Sequence, residues 1–156
     1  MLRGPRSPDP QADIGVCDFT YSLLPHQGDW RAANVDREAE ALRAPLFARS
    51  LAPEQNGTLH GAWAPFTIST AGAMRVAVAA VKLAERDDRL IVRLVNLDGG
   101  RGIATIAWHM PVKTVEAVNL LEQPWPLAGM THDAPRNETV VPCGPFQIIT
   151  LAISKP

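Results

Sequence analysis

Apolar and polar residues alternate most clearly over Phe19–Leu24, where Phe19, Tyr21 and Leu23 interleave with Thr20, Ser22 and Leu24. A period of two predicts a half-buried strand there, and Pro25 ends it because proline cannot donate to a ladder. The period then changes. Asp29 can cap a helix, and Val35, Ala39 and Leu42 fall on one face of a predicted helix over about Arg31–Arg43, which Pro45 stops. Residues 48–61 read as a loop around "PEQNG". From residue 63 onward the chain reads as strands: "PFTIS", then Met74–Glu85, then the β-branched run Arg89–Leu97. Alanines leave a helix open as the alternative for Met74–Glu85. "DGG" at 98–100 predicts a hairpin turn, followed by strands in "GIATIAWHM" and "VKTVEAVNLLE". Residues 123–137, with three prolines, read as a loop, and Phe146–Ile153 as a closing strand. About seven short strands and one early helix predict an all-β antiparallel sandwich. Residues 1–13 form an extended lead-in, and 14–156 a single domain.

Composition adds exclusions. The chain has 156 residues, 46% of them hydrophobic and 20% charged, which is globular material with enough chain for a real core. A formal net charge of −1 without a Lys/Arg run removes the electrostatic footprint of a nucleic-acid or anionic-membrane binder. Cys17 and Cys143 are too few for a disulfide framework, although one bridge stays open. With no apolar signal-peptide core and no membrane-length window, the expected location is cytoplasmic. On that basis the sequons at Asn56 and Asn137 are chance matches.

The chemistry is sparse. His26, His60, His109 and His132 are scattered, and neither HExxH nor CxxC occurs. "LDGGRG" at 97–102 has the glycines of a phosphate loop, but it opens no helix. The carboxylates show no spacing that selects a glycosidase pair. No catalytic or metal residue is therefore assigned. Trp108 alternates with Ile106 and is expected in the core, and Trp30 could pack beneath the helix. Trp63 and Trp125, beside loops and prolines, are the candidate platforms for stacking on a sugar ring.

The run "LRGPRSPDPQADIGVCDFTYSLLPHQGDW" resembles glycoside hydrolase family 38, the α-mannosidases. The similarity rests on Pro8–Pro10, Asp13, Gly15, Phe19–Tyr21 and Leu24–His26. "DWRAANVDREAEALRAPL", "VKLAERDDRLIVRLVNLDG", "AVNLLEQP" and "PFQIITLAI" continue it in order through nearly the whole chain. Cys17 departs from the family's usual His, and Arg43 from its usual Asn. The resemblance is to the C-terminal β-rich region, a truncated version of the supersandwich domain. It implies a non-catalytic domain of an enzyme that hydrolyses α-mannosides with retention. That enzyme's zinc, held by two Asp and two His, would sit in a separate catalytic domain, so no cofactor is expected here. Asp13 and Gly15 would lie in a loop facing that domain. Two alternatives are a free-standing carbohydrate-binding module for mannose-containing glycans, and a structural or interaction protein. An open sheet edge would make a homodimer one such interaction.

Overall fold

A computed structural model of the chain describes residues 7, 9, 11, 15, 16, 18–50 and 61–156. It divides into two compact units, Met1–Asn56 and Gly57–Pro156.

In the first unit the nine-residue helix α1 spans Val35–Arg43. It starts four residues later than the apolar spacing predicts. Residues 30–34 form a turn instead, with the Asp29 carboxylate accepting from the Ala32 N–H at 2.8 Å. Asp29 thus caps that turn, and α1 itself begins at Asn34 in the left-handed region with no side-chain cap. Trp30 does not pack beneath the helix. It is half-exposed, with the Arg31 guanidinium 4.3 Å above its ring. The strand predicted over Phe19–Leu24 is absent. The segment has no regular secondary structure and pairs with no strand among the described residues, and Phe19, Tyr21 and Leu23 are exposed. Alternation supplies side-chain placement only, whereas a strand also needs a neighbour for its backbone N–H and C=O groups.

The second unit supplies those neighbours. Its strands are β1 (Phe66–Gly72), β2 (Val76–Leu83), β3 (Leu90–Asn96), β4 (Gly102–Trp108), β5 (Thr114–Val118), β6 (Thr131–Asp133), β7 (Glu138–Cys143) and β8 (Ile148–Ser154). They form two antiparallel four-stranded sheets, ordered β1-β4-β7-β6 and β2-β3-β8-β5. Met74–Glu85 is therefore a strand and not a helix, and an all-β sandwich is the architecture.

Register aligns the inner faces. Phe66 and Ile68 oppose Trp108 and Ile106 in the first sheet, and Val92 and Leu94 oppose Leu151 and Ile149 in the second. One cluster takes Val92, Leu94, Ile106, Trp108, Val141 and Leu151 from both sheets. Fully burying such a side chain stabilises the fold by about 1.5–3 kcal/mol. Trp108 is core, as its alternation predicts. Its Nε1–H donates to Thr139 Oγ1 at 2.9 Å, which satisfies the indole inside the sandwich.

Three expectations are corrected on the second unit. The proline-rich segment 123–137 contains β6, and the strand β7 follows where none was predicted. Its Val140 and Val141 fit the ladder because Pro142 lies next to the strand end. Residues 119–122 leave β5 and turn, so "NLLE" is not strand. The "DGG" segment is not a hairpin. It carries the chain from β3 in one sheet to β4 in the other.

That crossing explains its glycines. A Cβ on Gly100 would lie 1.6 Å from the Ala73 carbonyl oxygen, and one on Gly102 would lie 2.1 Å from that of Ala71. The β1–β2 and β3–β4 connections touch there backbone to backbone. Asn96, fully buried, holds the corner together. Its Nδ2 donates to Gly100 O at 2.9 Å and Gly144 O at 2.7 Å, and its Oδ1 accepts from the Asp98 N–H at 3.0 Å. "LDGGRG" is a packing device, not a phosphate cradle.

Candidate functional site

The two tryptophans chosen as sugar platforms stand at different strands. Trp63 precedes β1, beside Ala64 and Pro65, whose carbonyls accept from the His109 ring and His109 N–H. Trp125 follows β5, and its N–H donates to Ala117 O at 3.0 Å. Short links place β1 over β2 and β4 over β3, so β1 and β5 lie at opposite edges of the sandwich. Trp63 and Trp125 are 50% and 67% exposed, so each ring is open to a ligand, but they do not form one platform.

Trp125 belongs to a built surface. After β5 the chain folds back, with Asn119 N–H donating to Gln123 O and Asn119 Oδ1 accepting from the Leu121 and Gln123 N–H groups. The turn forces Glu122 to a φ of 63°, unfavourable for a residue with a Cβ. Side-chain bonds hold it. Glu122 Oε1 accepts from Lys82 Nζ at 2.7 Å, and Oε2 from the Glu85 N–H at 2.7 Å. Lys82 also bonds Glu85. This strap joins the end of β5 to the β2–β3 hairpin, where Ala84 packs against Ile91, Val118 and Ala152, buried on the outer face of the second sheet. Leu120, Leu121 and Trp125, in and after this turn, are each exposed.

The charges follow the geometry. The Lys82 ammonium, then the Glu85 N–H, hold the Glu122 carboxyl below its usual range, and the two carboxylates raise Lys82. Beside them Arg89 bonds Asp87 and Glu116, lowering Asp87. Glu122, Asp87 and Lys82 are each shifted toward the charged form, away from the role of an acid or base near neutral pH.

The described histidines make separate contacts. His26 Nδ1 meets Leu24 O at 2.8 Å, while His132 Nδ1 meets Thr139 Oγ1 at 3.0 Å with its Nε2 buried and unpartnered. Among the described residues no group of three or more His, Cys, Asp or Glu could hold a metal. Cys17, Asp13 and His60 lie outside the described residues, and Gly15 has an extended φ of 157°. Cys143 is a buried free thiol whose pKa burial pushes up. Asn137 Nδ2 donates to Trp108 O and Met110 O, both at 2.8 Å, so this amide is committed to the fold and not presented to a glycan. In the first unit, a groove of about 800 Å³ runs between Tyr21 and Leu24 on one side and Val35, Ala39 and Leu42 on the other. Glu38 and Arg43 also line it, but Arg43 is tied to Glu40 at 2.6 Å. No helix among the described residues is long and apolar enough to cross a membrane.

Sequence reasoning missed Asn96, Asn137 and Glu122. Asn96 and Glu122 lay in predicted strands, and Asn137 was read only as a chance sequon in a loop. A Leu-Leu pair followed by Gln-Pro was the available sign that "NLLEQP" is a turn.

Two face-packed antiparallel sheets define a β-sandwich domain. Residues 75–151 match the family described as Glycosyl hydrolases family 38 C-terminal beta sandwich domain, and the chain belongs to that family. It is 29% identical over 153 residues to the human protein Alpha-mannosidase 2C1 and 30% identical over 156 residues to its Mus musculus counterpart. Each match covers 98% of this chain and 14% of the relative. Alpha-mannosidase G of Dictyostelium discoideum is 26% identical over 153 residues, covering 96% of this chain and 13% of the relative. The chain thus spans about one-seventh of the length of the curated relatives it matches. No solved structure matches it significantly.

Proposed function

We propose that this chain is a non-catalytic domain that supports an α-mannosidase catalytic domain, and that hydrolysis of α-mannosides belongs to that partner. One observation carries the reading: nearly all of this chain aligns with a small part of proteins named as α-mannosidases, and the family match falls on the sandwich. Zinc belongs to the partner domain in this reading, and it would act there by orienting sugar hydroxyls. The exposure of Leu120, Leu121 and Trp125 suits a docking role, because desolvated aromatic and aliphatic anchors dominate interface energy. The cytoplasm is the proposed location, supported by the free, buried Cys143 thiol.

The test is turnover of an aryl α-mannoside by the purified chain with added zinc. No turnover is expected, and hydrolysis abolished by a chelator would overturn the proposal.

A second reading, binding of mannose-containing glycans, is favoured by the exposure of the Trp125 ring. Calorimetric titration with mannose oligosaccharides tests it. Binding should vanish in Trp125→Ala, and an absence of heat at millimolar ligand removes the reading.

A further inference from the structure

The two edges of the second sheet are finished differently. At β5 the returning chain covers the edge, through Trp125 N–H to Ala117 O and the bridge between Val118 and Pro124. At β2 no strand among the described residues pairs with the outer edge. Yet β2 is the longest strand, with eight residues, and its sequence VAVAAVKL carries one charge. That charge, Lys82, is engaged by Glu85 and Glu122. Proteins usually blunt such an edge with unpaired lysine, proline or a short strand. β6 is short, with three residues, and β1 carries Thr67, Ser69 and Thr70. The bulge at Ala79 is the only such device in β2, and it falls near the strand's middle.

The backbone and side chains of β2 both offer contacts. Arg75 O and Ala84 N–H bond toward β3, which directs the amides of Val76, Val78, Val81 and Leu83 away from it by alternation. The same residues lie opposite Asn96, Leu94, Val92 and Leu90, so their side chains are on the core side. Even so, Val78, Val81 and Leu83 are 44%, 49% and 65% exposed. An added strand would satisfy the amides and cover this apolar row.

Charge identifies the occupant. The turn closing β2, Glu85-Arg86-Asp87-Asp88, is net acidic. The opposite end is net basic, with Arg75 and Arg101 against Asp98. Two copies of one strand related by a two-fold axis must run antiparallel, which brings the acidic end of one against the basic end of the other at both places. An axis between Ala79 and Ala80 sets Val76 and Val78 of each copy against Leu83 and Val81 of its mate, so the outward amides face one another and the two bulges meet at the centre.

We propose that β2 pairs with β2 of a second copy of this chain, fusing the two second sheets into one. This is independent of the role proposed for the domain beside a catalytic partner. It would fail without touching that role.

Sedimentation equilibrium of the full chain, with hydrogen exchange across a dilution series, tests it. A reversible dimer is expected, with the Val76, Val78, Val81 and Leu83 amides protected at high concentration and exposed on dilution. Val81→Pro removes an outward N–H without a β3 bond, and Val81→Lys puts a charge on the edge. Each should weaken the dimer about tenfold or more. A chain that stays monomeric overturns the proposal, as does protection unchanged by dilution, which would mean that one chain covers its own edge. A dimer that survives both substitutions also overturns it. Should Val81→Pro unfold, Val81→Lys and the wild-type exchange data still decide.

Discussion

Phe19–Leu24 and Leu90–Asn96 carry the same kind of signal, yet only the second is a strand. Leu90–Asn96 sits between β2 and β8, and its Val92 and Leu94 are fully buried against Leu151 and Ile149. Phe19–Leu24 lies beside a helix with no buried residue, and Phe19, Tyr21 and Leu23 are 70%, 79% and 87% exposed. Local alternation is therefore permissive. What makes a strand is a neighbour on each side and a second sheet to bury one face. The comparison predicts very different responses to the same kind of substitution.

The largest effect should come from the sandwich interior. Leu94→Ala is expected to cost about 2–5 kcal/mol in urea unfolding, because a cavity remains between two sheets that cannot close over it. Gly100→Ala should cost about 1–3 kcal/mol, since a methyl group would enter the Ala73 carbonyl and force the two corner connections apart. Asn96→Ala should fall in a similar range of about 1–3 kcal/mol, leaving the Asp98 N–H and two glycine carbonyls without their partner. Thermal unfolding of both variants checks these values. An unchanged Tm for Asn96→Ala would mean that water replaces the amide and that the corner is less closed than described.

A smaller, pH-dependent effect should come from the ionic strap. Glu122 and Asp87 have lowered pKa values, so their stabilisation is fully present above the ordinary carboxylate values of 4.5 and 3.8. It is lost as pH falls through the lower values of the folded chain. Lys82 is raised, so its part is fully present below 10.5 and is lost as pH rises through the higher folded value. Glu122→Gln should lower Tm at neutral pH, and its Tm curve should converge on the wild-type curve in acid. Parallel curves down to acid pH would show that this carboxylate gives no charge-dependent stability. The smallest effect is expected in the first unit: Tyr21→Ala should change unfolding free energy by less than about 0.5 kcal/mol. A loss as large as that of Leu94→Ala would show that this ring is buried against something in solution, and would erase the contrast.

Much of the sandwich was legible because its strands are β-branched and alternate against polar residues. Ile106 and Trp108 follow from that pattern alone. β7 was not legible, since Pro142 and the prolines before it masked a strand that only its pairing with β4 makes stable. The hairpin predicted at "DGG" failed for a related reason. A glycine turn reverses the chain equally well within a sheet or between two sheets, and the choice lies with distant partners. The family was legible from ordered blocks such as "FTYSLLPH" and "AVNLLEQP". Trp63 and Trp125 were legible as exposed rings, but their placement at opposite edges was not.

The sequence by itself determined the class, the core-facing side of the Ile106–Trp108 strand and the absence of a familiar catalytic motif. Periodicity and residue type act over a few neighbouring residues, and those features are local. Only the tertiary structure decided which alternating segments became strands, why Gly100 and Gly102 must be glycines, and how Glu122 and Lys82, forty residues apart, close one strap. Those outcomes depend on which backbones approach one another, and that is set by packing between segments far apart in the chain.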